Sequence, residues 1–316
     1  MKSEIVEYFG SEFKTKDPVV YIEKDETERL KGKNILYVQS LYPDTGSRIN
    51  DFNFTLDLLF EVDKKGNKKI DFNKLIIYFP VSTFLRSDAR YFDAQPNKLY
   101  ANAITVFGKY LKPYIEKFPN KIIGIIMVDA HLHRYNLKEL SETFGVKIYN
   151  VSAIPPLAQV LFDYISDIST PILIAPDEEA DQWAAQLRNI LNSNFKDVKV
   201  IQLYKHRWGD GQVSIIESSE LSLVTGKTVI IYDDMIGTGG TLIRTIERVK
   251  DYHPAEIIVL TTHLYPMGAQ RIIKEDIVSF IITTNTINRF IESRKIKTVS
   301  LGRTISKIVE NVLEEN

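Results

Sequence analysis

The chain has 316 residues, 44% hydrophobic and 26% charged, with a formal net charge of −1 and no cysteine. That length exceeds what one small core needs and suits two α/β domains. The charge balance excludes a global basic field for nucleic acid or an anionic membrane, and the missing cysteines exclude disulfides, thiolate metal sites and a cysteine nucleophile. The opening Met-Lys-Ser-Glu-Ile-Val-Glu carries acids where a signal peptide would be apolar. No apolar run approaches the roughly 20 residues that span a bilayer, so a cytoplasmic protein is expected. Apolar, β-branched runs predict strands at 35–39, 74–79, 122–128 and 147–151, with helical patterns over 54–61 and 99–117. Pro155 and Pro156 then interrupt the alternation. Beyond them, helical patterns at 156–166, 179–192 and 241–252 alternate with strands at 171–175, 198–203, 228–232, 256–261, 279–283 and 297–301.

Runs this apolar read as strands buried on both faces of a parallel sheet, and their alternation with helices indicates α/β architecture. Ten strands are too many for one small sheet. Two pseudo-symmetric domains, 1–151 and 152–316, are therefore expected, each a mostly parallel sheet flanked by helices. The segment 205–219 is polar and contains glycine where a helix would ordinarily connect two strands, a pattern typical of a functional lid.

The clearest chemical signal is Val229-Ile230-Ile231-Tyr232-Asp233-Asp234-Met235-Ile236-Gly237-Thr238-Gly239-Gly240-Thr241. A buried strand ends in two acids, and a short Gly/Thr loop opens a helix. Backbone N–H groups of such a loop, with the helix N-terminus, form an anion cage. Glycine allows close approach and positive φ, and Thr238 and Thr241 add hydroxyl donors. Adjacent carboxylates repel unless ribose hydroxyls or a metal complex share their charge. A ligand-free acidic turn is the bland alternative. No Gly-Lys-[Ser/Thr] follows, so this is not a Walker A loop, and the acids before the glycines would repel a dinucleotide's pyrophosphate. Asp129 and His131 lie two apart at the end of the 122–128 strand, where an extended backbone would point both the same way.

The stretch 229–241 resembles the 5-phosphoribosyl-1-diphosphate (PRPP) motif of type I phosphoribosyltransferases and class I ribose-phosphate pyrophosphokinases, the PRPP synthases. Further resemblance favours the synthases: Tyr37-Val38-Gln39-Ser40, Arg86-Ser87-Asp88 with Arg90, Asp129-Ala130-His131, Pro176-Asp177, Lys205-His206-Arg207, Thr262-His263 and Thr284-Asn285-Thr286-Ile287. It implies that Asp233 and Asp234 bind ribose hydroxyls and that Gly237, Thr238, Gly239, Gly240 and Thr241 hold a 5-phosphate. It further implies ATP contacts from Arg86, Asp88, Arg90 and His131, magnesium held by Asp129, His131 and Asp177, and catalytic cations Lys205 and Arg207. Small-molecule substrates, Mg²⁺ with ATP, and a homodimer or higher homo-oligomer follow from the same likeness. Three departures stand out. Phe13-Lys14-Thr15-Lys16-Asp17 lacks the family's Gly-Glu, Ala89 displaces one cation to Arg90, and Glu179-Ala180 replaces Gly-Gly after Pro176-Asp177. These leave three readings open besides a simple phosphoribosyltransferase. They are a divergent PRPP synthase, a pyrophosphokinase for a larger 5-phosphoribosyl acceptor such as ADP-ribose, and a non-catalytic partner protein.

Overall fold

The computed structural model describes residues 9–12, 18–22, 24–83, 103–132, 135–165, 169–177, 180–207, 213–216, 219–287 and 291–316. The chain forms two compact units, Met1–Val151 with Ile305–Asn316, and Ser152–Thr304.

The first unit begins with an antiparallel pair, β1 (Phe9–Glu12) and β2 (Pro18–Tyr21), then α1 (Lys24–Leu30). Its main sheet has four parallel strands in the order β3 (Ile35–Val38), β4 (Leu75–Phe79), β5 (Ile122–Val128) and β6 (Ile148–Val151). All seven residues of β5 are buried, as its unbroken apolar run requires. Helices α2 (Thr45–Leu59), α3 (Ala103–Lys117) and α4 (Leu137–Phe144) connect the strands. Their apolar stripes meet in an aromatic core, where Phe52 lies 5.4 Å from Phe79 and 5.5 Å from Phe107 between ring centroids. Helix α2 starts nine residues before the predicted 54–61, with Asp44 as its cap accepting from the Ser47 N–H. Helix α4 carries a full capping box, Asn136 with Glu139.

The second unit is built on six parallel strands in the order β14-β13-β12-β11-β7-β8. They are β7 (Ile172–Ala175), β8 (Lys199–Gln202), β11 (Thr228–Ile236), β12 (Glu256–Leu264), β13 (Val278–Thr284) and β14 (Ile296–Val299). Helices α5 (Ile154–Ile165), α6 (Asp181–Leu191), α7 (Gly240–Lys250) and α8 (Pro266–Ile272) complete it. The segment read as an irregular polar connection contains an antiparallel pair instead, β9 (Tyr204–Arg207) with β10 (Val213–Ile216).

The final helix, α9 (Gly302–Glu315), corrects the division at 152–316, because residues from Ile305 onward belong to the first unit. The reason is local. Gly124 on β5 leaves a groove that Val312 fills, since a Cβ there would stand 3.1 Å from Val312 Cγ1 and 3.0 Å from Tyr149 Cε2. Lys147 Nζ and Tyr149 Oη both donate to Glu315 Oε2, at 2.6 and 2.7 Å. Gly124→Val should therefore destabilise the first unit by about 1–3 kcal/mol through overpacking. Thermal melts would show this, and Val312→Ala in the same chain should recover part of the loss. Strictly additive losses would mean that Val312 does not seat against Gly124.

Candidate functional site

The second sheet has a topological switch point. The chain steps from β7 outward to β8, then crosses back to β11 on the other side of β7 and continues outward to β14. In open α/β sheets ligands bind at the carboxyl ends of the strands flanking such a point. Here β7 pairs with β11 only as far as Ile174 opposite Ile231, whereas β11 runs on to Ile236 against β12. The extra length carries Asp233, half-buried, and Asp234, 7% exposed. Pro176 and Asp177 follow β7 directly. The acids that the sequence singles out on β11 thus end on one side of the switch point, with Asp177 on the other.

Asp177 is 9% exposed, and its Oδ1 accepts from the Ala180 N–H at 3.0 Å. One of its oxygens therefore shapes the turn into α6. Glu179 lies outside the described residues.

The loop between β11 and α7 is held from behind. Gly239 adopts φ 76° and is the N-cap of α7, with no capping side-chain bond among the described residues and no acid in the first turn. The first N–H groups of the helix, together with its positive dipole end, are therefore left to an anion. Thr238 is exposed, while Gly237, Gly240 and Thr241 are half-buried. From α8, Gly268 packs against this loop so closely that its hypothetical Cβ would lie 2.7 Å from Ile236 Cγ2 and 2.8 Å from the Gly237 carbonyl oxygen. The Tyr265 N–H donates to the Ile236 carbonyl at 3.0 Å, and Arg271 Nη1 donates to the Thr238 carbonyl at 3.0 Å. Gly268 and Arg271 carry no signal in a linear reading, because only the return of β12 into α8 brings them to the loop.

Behind the neighbouring strand ends lies a buried polar brace. His263 Nδ1 and Thr286 Oγ1 are 2.9 Å apart, and Thr284 Oγ1 donates to the Thr262 carbonyl at 2.7 Å. Asn285 Oδ1 accepts from the Leu301 N–H at 3.0 Å. These residues lock β12 to β13 and the chain beyond β14. Their role in the fold explains why threonines, not aliphatic residues, sit there.

In the first unit, Asp129 follows β5 and is 1% exposed, with φ 36°. A non-glycine residue in the left-handed region is uncommon and clusters at functional sites. Its N–H donates to the Val151 carbonyl at 2.9 Å, and the Ala130 N–H donates to Asn150 Oδ1 at 2.8 Å. Strand alternation therefore stops at Val128 and does not set the direction of half-buried His131. No cluster of three or more side chains able to hold a metal by themselves occurs among the described residues. Magnesium carried on a nucleotide needs no such cage, since it takes one or two protein oxygens and keeps phosphate and water for the rest. Asp129 in the first unit and Asp177 in the second each carry a carboxylate of the kind that demand names.

Lys205 and Arg207 lie on β9, opposite Ile215 and Val213 of β10. Arg86, Asp88 and Arg90, and the segment 13–17, fall outside the described residues.

A family described as Phosphoribosyl transferase domain matches residues 148–296, which take in the switch point and the loop. A ribose-phosphate pyrophosphokinase of Sulfurisphaera tokodaii is 28% identical over 284 residues, 89% of this chain and 85% of that protein. One of the same name from Sulfolobus acidocaldarius is 26% identical over 285 residues, again 89% and 85%. The fold is that of a phosphoribosylpyrophosphate synthetase from Mycobacterium smegmatis, with a TM-score of 0.75 at 18% identity, covering 99% of this chain and 92% of that one. With relatives that span 89% of the chain and a domain match that takes in the switch point, the chain is similar to ribose-phosphate pyrophosphokinases along most of its length.

Proposed function

We propose that the protein is a ribose-phosphate pyrophosphokinase that transfers the β,γ-pyrophosphoryl group of ATP to the 1-hydroxyl of ribose 5-phosphate. The observation that carries this reading is the end of β11. Two carboxylates stand at a switch point, and directly after them an uncapped helix start offers N–H groups to a phosphate. That order matches a sugar whose hydroxyls lie a short span from a terminal phosphate. The ribose-phosphate pyrophosphokinases that this chain resembles over 89% of its length support the same activity.

In this reading Asp233 and Asp234 accept from the ribose 2- and 3-hydroxyls, and residues 237–241 hold the 5-phosphate. The 1-hydroxyl oxygen bonds to the β-phosphorus, the bond from that phosphorus to the α-phosphate oxygen breaks, AMP leaves with the electron pair, and the hydroxyl proton is released. Lys205 and Arg207 supply positive charge to the transferring group, where charge stabilisation does most of the catalytic work. Arg86, Asp88, Arg90 and His131 are assigned to ATP. Asp129, His131 and Asp177 are the assigned magnesium holders, and the ion bound with ATP would offset phosphate charge. Fixing both substrates turns a bimolecular displacement into a positioned one.

The decisive assay incubates the protein with Mg·ATP and either ribose 5-phosphate or ADP-ribose, resolving products by mass. AMP and PRPP from ribose 5-phosphate are expected, with a lower kcat in Lys205→Ala. AMP formed only with ADP-ribose would overturn the acceptor and keep the chemistry. No AMP from either would sink the reading.

A further inference from the structure

Two arginines outside the residues assigned above stand over the phosphate loop. A Cβ drawn on Gly240 would lie 4.0 Å from Arg244 Nη1 and 4.0 Å from Arg271 Nη1, so the two guanidinium nitrogens are no more than twice that distance apart. Thr238 Oγ1 is 3.7 Å from the same point. Arg271 also donates to the Thr238 carbonyl, and both arginines are exposed.

Arg271 has a role in the fold through the Thr238 carbonyl, whereas Arg244 has no such bond among the described residues. Three arginines sit against a carboxylate three residues away, Arg29 with Glu26 at 2.5 Å, Arg48 with Asp51 at 3.3 Å and Arg248 with Asp251 at 3.1 Å. Glu247 offers Arg244 the same spacing, yet no ion pair forms between them among the described residues. The Arg244 side chain reaches back along α7 toward Gly240 instead. Two cations there add to the positive end of the α7 dipole, where a helix ordinarily favours acids. That arrangement is self-repelling until an anion of more than one charge arrives.

We propose that Arg244 and Arg271 are specificity-determining residues that take the second negative charge of a phosphate monoester, and so select a terminal 5-phosphate over one esterified at both ends. The inference rests on the reading that residues 237–241 hold a ribose 5-phosphate. Neutral backbone N–H groups serve a singly charged diphosphate link nearly as well as a doubly charged monoester. Only nearby cations reward the extra charge, and guanidinium matches phosphate geometry. A diphosphate-linked ribose such as ADP-ribose has one charge at that phosphorus and a bulky group where the arginines stand.

The test uses the full chain with Arg244→Ala, Arg244→Lys and Arg244→Ala/Arg271→Gln. Arg244→Ala is the cleaner single variant, since Arg271 also steadies the loop. KM and kcat for ribose 5-phosphate at saturating Mg·ATP are expected to split, with KM up about tenfold, the lower end for a charged hydrogen bond, and kcat little changed. The KM for ATP should stay put, and lysine should restore part of the affinity. Calorimetric binding of ribose 5-phosphate should weaken as pH falls through about 6, where a phosphate monoester loses its second charge, and this dependence should flatten in Arg244→Ala. Wild-type kinetics and an unaltered pH profile in Arg244→Ala and in Arg244→Ala/Arg271→Gln would overturn the arginine assignment while leaving the pyrophosphokinase reading intact. Equal use of ADP-ribose by the wild type would overturn the selectivity. A wild-type chain that neither binds ribose 5-phosphate nor forms AMP would remove the reading beneath the inference, and the inference with it.

Discussion

Changing Asp233 and Asp234 together to asparagine should lower kcat/KM for ribose 5-phosphate about 10³-fold, with far-UV circular dichroism unchanged. Asparagine keeps the shape and one acceptor of each side chain but removes both charges. A hydrogen bond to a charged group is worth about 1.5–3 kcal/mol, so losing two amounts to roughly 3–6 kcal/mol. At about 1.4 kcal/mol per factor of ten, that spans two to four decades. The loss should appear in both KM and kcat, because the hydroxyls that these acids are proposed to hold would also fix the angle at which the 1-hydroxyl approaches phosphorus. A variant within threefold of wild type would show that the β11 carboxylates do not touch the sugar.

Gly268→Ala should cost about 10²-fold in kcat/KM, although Gly268 touches no substrate. Its added methyl would meet Ile236 Cγ2 at 2.7 Å, the Gly237 carbonyl oxygen at 2.8 Å and the Ile236 carbonyl oxygen at 3.0 Å. Two of the three are backbone atoms where β11 runs into the 237–241 loop, which cannot swing away like a side-chain tip. Either the loop or α8 must shift, and displacement on the ångström scale costs about two decades in a site that works by positioning. A destabilisation of about 1–3 kcal/mol should accompany it in thermal melts. Met267→Ala, at a neighbour 59% exposed, is the control and should leave both quantities close to wild type. Unaltered kinetics in Gly268→Ala would mean that the loop tolerates movement.

The strands were the most legible part of the chain, since β-branched runs such as Ile122–Val128 have nowhere to go but between two layers of helices. The ends of β11 and β12 were not, because Asp233, Asp234, Thr262 and His263 are polar and extend only where a neighbouring backbone pairs with them. Helix α2 was read short for a related reason. Its first turns hold Gly46, Ser47, Asn50 and Asp51, and burial of Phe52 stabilises what propensity does not. In the candidate site, chemistry written contiguously at 233–241 could be read directly. What depends on tertiary return could not: Gly268 beneath the loop, Arg271 beside it, and the left-handed Asp129 that ends strand alternation. Arg244 lies one helical turn from Gly240 and drew no notice in the sequence, because the lack of an ion pair among the described residues required the structure.

The return of residues 305–316 to the first unit means that, along the covalent chain, the whole second unit is an insertion between β6 and α9. Synthesis from the N-terminus can therefore finish the six-stranded sheet before the four-stranded one has its last helix. The groove over Gly124 waits, open to solvent, for Val312. Contact order in the two units is correspondingly unequal: short-range closure for the second unit, and one very long-range closure for the first. Cleavage near Thr304 would consequently injure the four-stranded sheet more than the six-stranded one.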